Sequence, residues 1–189
     1  MRVVGGKFRG RPLEGPKNDR VRPTSDRVRE SVFNLLFHND FGVGFTLEGV
    51  RVLDLFAGTG ALGIEALSRG AKFALFVDDH FESRAIIRRN VEALNLTGAS
   101  KIWRRDATDL GPIEPNAGGP FGLIFVDPPY RENLILPALK SASEGRWLAE
   151  NAIVIGETAD DENLEWPSFL RALDERLYGD TKVTILGLV

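Results

Sequence analysis

Apolar positions along the chain follow two alternating spacings. Short apolar runs of four to six residues are separated by stretches in which apolar residues recur every three or four positions. Strand-like runs that alternate with helical stretches predict a parallel, doubly wound α/β sheet. The predicted strands are Val50–Leu55, Phe73–Val77, Lys101–Arg104, Phe121–Val126 and Ala152–Ile155, and the predicted helices are Ser25–Phe37, Ala61–Ser68, Glu82–Leu94 and Leu134–Leu148.

The last stretch of the chain departs from this alternation. The runs Ala172–Leu177 and Lys182–Leu188 flank the turn Tyr178-Gly179-Asp180, which predicts two strands joined as a hairpin. A hairpin this tight is antiparallel. The expected fold class is therefore α/β, with a mostly parallel seven-stranded sheet and a C-terminal antiparallel hairpin. This Rossmann-like architecture is that of class I S-adenosylmethionine-dependent methyltransferases, and the pattern leaves the strand order open.

Composition limits the classes of protein to which the chain can belong. Its 189 residues are enough for one domain with a short extension, and 43% hydrophobic residues are enough for a core. Cysteine is absent, which argues against disulfides, a thiol nucleophile or a cysteine-ligated metal and fits a reducing cytoplasm. No apolar run approaches the roughly 20 residues of a membrane span. A soluble, cytoplasmic protein is expected.

Charge is divided unevenly along the chain. Residues 1–30 hold nine lysines and arginines against four acids, a balance of +5, and because the whole chain carries −3 the remainder carries −8. A basic arm that its glycines keep pliable is typical of a segment that follows nucleic-acid phosphates. A solvated leader is the alternative, which charge alone does not exclude. We expect a basic arm and helix over residues 1–40 and a methyltransferase domain over residues 41–189.

The end of the first predicted strand and the turn that follows it have the residues of a cofactor loop, Asp54-Leu55-Phe56-Ala57-Gly58-Thr59-Gly60. With Gly63 it also satisfies the G-x-G-x-x-G pattern of dinucleotide-binding folds, in which backbone amides face a pyrophosphate. A carboxylate at Asp54 would add negative charge near that anion. The same carboxylate favours the cationic sulfonium and ammonium groups of S-adenosylmethionine. A methyltransferase is therefore preferred, and a nicotinamide site is the alternative.

Two further acids follow the next two predicted strands. Asp78 lies 20 residues after Gly58, where an acid takes the ribose hydroxyls in both classes of protein. The alternative for Asp78 is an acid favoured by the dipole of the helix that follows. Asp106, with Ala107 beside it, is expected at the end of the third strand as an acceptor for the adenine amino group.

The second chemical motif is Asp127-Pro128-Pro129-Tyr130, which follows the fourth predicted strand. The lone pair of an exocyclic base amine is delocalised into the ring and must be turned toward the methyl group. The Asp127 carboxylate and the Pro128 carbonyl can each accept one N–H, the paired prolines stiffen that carbonyl, and Tyr130 offers a ring on which the base stacks. An ordinary proline turn is the alternative. Because ligands bind outside the carboxyl ends of parallel strands, this motif should face the cofactor loop.

With these residues placed, the chain resembles the RsmD family of bacterial methyltransferases over nearly its whole length. The most specific shared segment is Arg22-Pro23-Thr24-Ser25-Asp26-Arg27-Val28-Arg29-Glu30-Ser31-Val32-Phe33-Asn34. Further shared segments are Arg2-Val3-Val4-Gly5-Gly6, Arg9-Gly10-Arg11-Pro12-Leu13 and Tyr178-Gly179-Asp180-Thr181. Asp78 departs from the pattern, since similar proteins often have glutamate there, and should keep the ribose contact with a shorter reach.

The resemblance implies methylation of the N2 amine of a guanine in small-subunit (16S) ribosomal RNA, with S-adenosylmethionine as the cofactor. The target base must be unpaired or flipped out of its helix before it can stack on Tyr130. The substrate is rRNA in the small subunit or its precursor, and no membrane, no metal and a monomeric chain are expected. The expected RNA-binding residues are Lys7, Arg9, Arg11, Arg22 and Arg27.

Three alternatives to guanine-N2 methylation remain open on the sequence. An N6-adenine methyltransferase acting on DNA or RNA could use the same tetrapeptide, because both amines suit it. A nicotinamide-dependent dehydrogenase is disfavoured by Asp54 and Asp127. An RNA-binding module with a vestigial cofactor fold is the third alternative. The two histidines, His38 and His80, have no clustered partners that would indicate a metal site.

Overall fold

Strand and helix alternate through most of the chain. The computed structural model describes residues 1–16 and 25–189. In chain order the elements are α1 (Asp26–His38), β1 (Arg51–Leu55), α2 (Ala61–Ser68), β2 (Phe73–Val77), α3 (Phe81–Ala93), β3 (Ser100–Trp103), β4 (Phe121–Val126), α4 (Ile135–Glu144), β5 (Leu148–Ala159), β6 (Leu170–Tyr178) and β7 (Thr181–Leu188).

The strands form one seven-stranded sheet in the order β3-β2-β1-β4-β5-β7-β6. Strands β1 to β5 run parallel to one another, whereas β7 runs antiparallel to both β5 and β6. The C-terminal hairpin therefore closes one edge of the sheet, as predicted. Chain order reverses between β1 and β4, and ligands of open α/β sheets bind at such a switch point.

Both faces of the sheet are covered by helices, which explains why its strands read as continuous apolar runs. On β1, Val52 belongs to a core that includes Phe33 of α1 and Ile64 of α2. Its neighbour Leu53 points to the opposite core, with Leu139 of α4. All five side chains are fully buried. The sheet is thus a rigid central layer that presents its loops at the carboxyl edge.

The predicted helix Leu134–Leu148 was wrong over its last four residues. Helix α4 ends at Glu144, and β5 already begins at Leu148 and runs to Ala159, well beyond the predicted strand. A Cβ on Gly145 would lie 2.2 Å from the Gly111 carbonyl oxygen, so only glycine fits there. Trp147 follows, is fully buried, and donates its Nε1–H to the same carbonyl at 2.8 Å. This tertiary anchor ends the helix where the local apolar spacing would continue it.

The first 16 residues pack against the body of the protein. Val3 and Leu13 are buried, and the Val4 and Phe8 amides donate to Glu65 and Ser68 of α2, each at 2.9 Å. Gly6 has φ +72°, and a Cβ there would lie 1.9 Å from the Ser68 carbonyl oxygen. The expectation of a pliable arm was therefore wrong for residues 1–16, because this glycine allows close approach to α2. A solvated leader is likewise contradicted for these residues.

Helix α1 begins where the sequence predicts. Ser25 is its N-cap, and the Ser25 hydroxyl accepts the Val28 amide at 3.2 Å. Arg29 is completely buried, with Nη2 2.8 Å from Asp26 and Nε 3.6 Å from the buried Glu65. Arg29 is one of the nine basic residues counted in residues 1–30, but its charge is paired inside the protein and does not face solvent. None of the described helices is long and apolar enough to cross a membrane.

Candidate cofactor and amine site

A tight loop connects β1 to α2 at the carboxyl edge of the sheet. Phe56, Gly58 and Gly60 have φ values of +59°, +57° and +77°. A Cβ on Gly58 would meet nothing closer than 3.9 Å, so its outer side is open. A Cβ on Gly63 would lie 2.4 Å from the Phe76 ring of β2. The third glycine of the pattern therefore serves helix packing, while the first lies at a partly buried turn with open space beside it.

Asp54 supports this loop from inside the protein. Its side chain is buried, and Oδ2 accepts the Gly63 amide of α2 at 2.9 Å. Burial raises the pKa of Asp54 to about 8, against the opposing effect of the Gly63 hydrogen bond. A cation bound nearby would favour the ionised carboxylate, so Asp54 can stabilise both the loop and a cationic ligand.

Asp78, one residue beyond β2, joins two loops. Oδ2 accepts the Gly58 amide at 2.9 Å, and Oδ1 accepts the His80 amide at 2.9 Å just before α3. Burial raises the pKa of this carboxyl, and both amide bonds oppose the rise. Asp78 thus makes the contact expected of an acid at the start of a helix, and it also bonds the cofactor loop. Its remaining oxygen lone pairs are available for a ligand hydroxyl.

The third predicted cofactor acid lies farther from its strand than expected. Strand β3 ends at Trp103, so Asp106 belongs to the following loop. Asp106 is exposed, and Oδ1 accepts both the Thr108 amide, at 2.8 Å, and the Thr108 hydroxyl, at 2.7 Å. Ala107 beside it is buried. Both bonds use Oδ1, and the side chain is exposed, so Asp106 can also accept a hydrogen bond from a ligand. Its contact with adenine stays a prediction.

The amine motif lies directly beside the cofactor loop. Leu55 of β1 pairs with Val126 of β4, so the residues that follow them, Phe56 and Asp127, emerge side by side at the switch point. Asp127 is partly buried, and Pro128 beside it is buried. The two motifs, which are 73 positions apart when counted from Asp54 to Asp127, are thus brought together by one pair of neighbouring strands.

The Tyr130 side chain is held by residues that the sequence did not single out. Its hydroxyl lies 2.6 Å from Glu157 Oε1 of β5 and 3.0 Å from Thr181 Oγ1 of β7. Burial, followed by the hydrogen bond to Glu157, raises the pKa of the Tyr130 phenol. One signal for Glu157 was present in the sequence, an acid in line with the apolar residues Ile153 and Ile155.

Most of the predicted RNA-binding side chains lie on the surface of the arm. Lys7, Arg9, Arg11 and Arg27 are exposed, whereas Arg22 lies outside the described residues. Arg2 is exposed too, but its Nε lies 3.4 Å from Asp26. The described residues therefore present these four cations, besides the ion-paired Arg2, to solvent, and RNA contact by the four stays a prediction.

The residues at the cofactor loop fit S-adenosylmethionine better than a dinucleotide. Two buried carboxylates, Asp54 and Asp78, flank the loop, and both already accept backbone amides. Acidic acceptors suit a ligand with a sulfonium, an ammonium and ribose hydroxyls, and they oppose a pyrophosphate. Within residues 1–16 and 25–189, no group of three His, Asp or Glu side chains is arranged to hold a metal ion.

Comparison with known proteins defines the family. A family model described as "Conserved hypothetical protein 95" matches residues 1–187. Ribosomal RNA small subunit methyltransferase D of Escherichia coli (strain K12) is 34% identical over 165 residues, which cover 87% of this chain and 77% of that protein. The chain belongs to the RsmD family. YlbH of Bacillus subtilis (strain 168) is 36% identical over 188 residues, covering 98% of this chain and 97% of YlbH.

A solved structure supports the same membership. The structure of yhhF from Escherichia coli matches with a TM-score of 0.82 and 28% identity, covering 100% of this chain and 97% of that chain. This RsmD-family chain has the class I methyltransferase fold, with the antiparallel hairpin of β6 and β7 at its C-terminal edge. The predicted fold class and the family resemblance are both confirmed.

Proposed function

We propose that this RsmD-family protein transfers a methyl group from S-adenosylmethionine to the exocyclic N2 amine of a guanine in 16S ribosomal RNA. The observation that carries the proposal is the meeting of the Asp54–Gly60 loop with the Asp127–Tyr130 motif at the switch point between β1 and β4. The name of the Escherichia coli relative, a ribosomal RNA small subunit methyltransferase, supports rRNA as the substrate.

The cofactor half of the site would hold the methyl donor beside Gly58, where the loop is open. The Asp54 carboxylate lies beneath the loop and favours a cation, and Asp78 is available to the ribose hydroxyls while it fixes the Gly58 amide. Asp106 is the proposed acceptor for the adenine amino group. The bound cofactor supplies an electrophilic methyl carbon on a sulfur that keeps the bonding electron pair when the methyl group leaves.

The amine half would orient the nucleophile. The Asp127 carboxylate and the Pro128 carbonyl each accept one N–H of the guanine amine, which turns the nitrogen lone pair toward the methyl carbon. Transfer would form an N–C bond as the methyl carbon leaves the sulfur, and the nitrogen would then lose one proton to Asp127 or to water. Tyr130 supports the base by stacking. Positioning of this kind lowers the barrier by holding the two reacting atoms in the geometry of attack.

The exposed cations of the arm would bring RNA to an otherwise acidic protein. Residues 31–189 carry −8, so phosphates approach most favourably along Lys7, Arg9, Arg11 and Arg27. We expect the protein to act as a monomer in the cytoplasm, on the small ribosomal subunit or its precursor. The arm and α1 would form the RNA-facing extension over residues 1–40, and residues 41–189 the catalytic domain.

Mass spectrometry of the modified nucleoside tests this proposal. Purified protein and S-adenosylmethionine are incubated with small ribosomal subunits from cells that lack the enzyme, with naked 16S rRNA and with DNA. The proposal predicts N2-methylguanosine at one position of 16S rRNA and no product on DNA. N6-methyladenosine in either nucleic acid would instead identify an adenine methyltransferase. RNA binding without any product would identify a binding module.

A further inference from the structure

The hydroxyl of Tyr130 is attached at two points. It donates to Glu157 Oε1 at 2.6 Å and lies 3.0 Å from Thr181 Oγ1. Glu157 and Thr181 are each only 8% exposed, so both contacts lie inside the protein rather than in solvent. Stacking on a base needs only an aromatic ring. The hydroxyl and its two buried partners therefore call for a separate explanation.

Glu157 occupies a position where packing alone would select an apolar side chain. Along β5, Ile153 and Ile155 point into the core on the α1 side of the sheet, and Glu157 follows at the same alternation. In the antiparallel pairing, Glu157 lies opposite Val183 and Ala159 lies opposite Thr181. Glu157 and Thr181 are thus diagonal neighbours on one face. A buried carboxylate is costly unless it is hydrogen-bonded, and Tyr130 supplies such a bond.

The hairpin turn fixes the position of Thr181. Gly179 has φ +65°, which permits the tight reversal between β6 and β7. The Asp160 amide donates to the Asp180 carbonyl at 3.0 Å, which ties the turn to the end of β5. Thr181 begins β7 immediately after this bond. The Thr181 hydroxyl therefore connects the hairpin turn to Tyr130 of the amine site. This turn belongs to the segment Tyr178-Gly179-Asp180-Thr181, which is one of those shared with the RsmD family.

We propose that Glu157 and Thr181 are positioning residues that hold the Tyr130 ring by its hydroxyl as a fixed platform for the target base. This proposal rests on the proposed function of the Asp127–Tyr130 motif. A tyrosine hydroxyl lies on the axis about which the ring rotates, so an anchored hydroxyl fixes the χ1 torsion and with it the place of the ring. A fixed ring keeps the stacked base, and hence its amine, in line with the methyl carbon.

Single-turnover methylation of the rRNA substrate measures the effect of the anchor. Tyr130→Phe keeps the stacking ring and should slow transfer about tenfold or more, because the ring is no longer held in one place. Glu157→Leu should cause a similar loss, while Glu157→Gln, which still offers an acceptor oxygen, should retain most of the rate. Affinity for S-adenosylhomocysteine should stay within twofold of wild type in all three, which also shows that they fold.

A double-mutant cycle separates anchoring from a general effect on stability. If Glu157 acts through the Tyr130 hydroxyl, the Tyr130→Phe/Glu157→Leu protein should be no slower than Tyr130→Phe alone. Thr181→Val should likewise have no further effect in the Tyr130→Phe background. A wild-type rate for Tyr130→Phe would overturn the proposal, and so would losses that multiply in the double variant.

A spectroscopic test of the contact does not depend on methylation. Tyr130 and Tyr178 are the only tyrosines, so Tyr178→Phe leaves Tyr130 as the sole phenol. Burial and the Glu157 bond raise the pKa of Tyr130, so Glu157→Gln should move the phenolate absorbance to lower pH. A shift in a protein that methylates no RNA would contradict the proposed function and leave the contact standing. An active protein without the shift would overturn the anchor.

Discussion

Asp54 and Asp78 act on the backbone of the cofactor loop as well as on the space above it. Asp54 accepts the Gly63 amide and Asp78 accepts the Gly58 amide, so the two carboxylates hold both ends of one turn. Buried carboxylates of this kind are costly when charged, which explains why the pKa of each is raised. The sequence predicted both acids from their spacing, but their hydrogen bonds to the loop depend on the folded backbone.

The raised pKa of Asp54 predicts how stability depends on pH. Its pKa rises from 3.8 to about 8 on folding, so between about pH 4 and 8 the folded state binds more protons than the unfolded state. The contribution of Asp54 to stability therefore falls as pH rises through this window. Asp54→Asn, which cannot ionise, should remove that fall. Urea denaturation of both proteins at several pH values measures the difference.

A matched control is Asp109→Asn, because Asp109 is an exposed carboxylate. It should leave the pH dependence of unfolding as in wild type. If the free energy of unfolding changes with pH in the same way for wild type and Asp54→Asn between pH 4 and 8, the pKa of Asp54 is not raised in the folded protein.

Asp78 should contribute directly to cofactor affinity. Asp78→Ala removes the buried carboxylate that we propose as the acceptor for the ribose hydroxyls and frees the Gly58 amide, which should cost about 1.5–3 kcal/mol of binding. The dissociation constant of S-adenosylhomocysteine should then rise roughly tenfold or more. Calorimetry measures it, with Asp79→Ala as the control, since Asp79 is an exposed carboxylate next to it. Equal affinities in the two variants would return Asp78 to the role of a helix-end acid.

At the scale of elements, one side chain of α3 joins the arm to the cofactor loop. Asn90 is buried, and its Nδ2 donates to the carbonyls of Thr59 and Glu14, each at 3.0 Å. Its Oδ1 accepts the Glu14 amide at 2.7 Å. Three hydrogen bonds of one side chain therefore connect the arm, α3 and the loop. Nothing in the spacing of Asn90 within its helix indicated this, because the contact crosses 76 positions of sequence.

Asn90→Ala should destabilise the protein strongly. The substitution leaves a carbonyl of Thr59 and two backbone groups of Glu14 without their buried partner, and each such group costs about 1–3 kcal/mol. A loss of at least about 2 kcal/mol in the free energy of unfolding is expected. Urea denaturation measures it, and the exposed Asn151→Ala is the control. A loss as small as that of the control would mean that the arm is not fastened through Asn90.

The exposed cations of the arm should act on RNA and not on the cofactor. Replacing Lys7, Arg9 and Arg11 with alanine should weaken binding to the ribosomal substrate and lower the magnitude of the salt slope by about 0.7–0.9 for each lost phosphate contact. The affinity for S-adenosylhomocysteine should not change, because these three side chains are exposed and do not belong to the cofactor loop. Filter binding at several salt concentrations measures the slope.

The control for the arm variant removes the same charge elsewhere. Lys140, Arg171 and Arg176 are exposed on α4 and β6, and their replacement by alanine should leave the salt slope nearly unchanged. Equal RNA affinity and equal slope for the arm variant and wild type would show that the arm does not contact phosphates. The RNA-facing surface would then have to lie elsewhere.

At the scale of the whole molecule, the order of the strands creates the site. The sequence predicted seven strands, their class of sheet and the C-terminal hairpin from periodicity and turn residues. It left the strand order open, because only long-range pairing places β4 beside β1 and so Asp127 beside Phe56. The same limit hid Glu157 and Thr181, whose meeting with Tyr130 requires three different strands to converge at one edge.

Methyl transfer by Asp127→Ala measures whether the two motifs form one site that methylates an amine. Loss of the carboxylate leaves the amine unoriented, so transfer to small ribosomal subunits should be abolished. Asp127→Asn keeps one carbonyl acceptor and should retain residual activity. Calorimetric binding of S-adenosylmethionine should stay within a few-fold of wild type, because Asp127 lies outside the glycine loop. Transfer by Asp127→Ala at a rate near wild type would show that the two motifs do not form one such site.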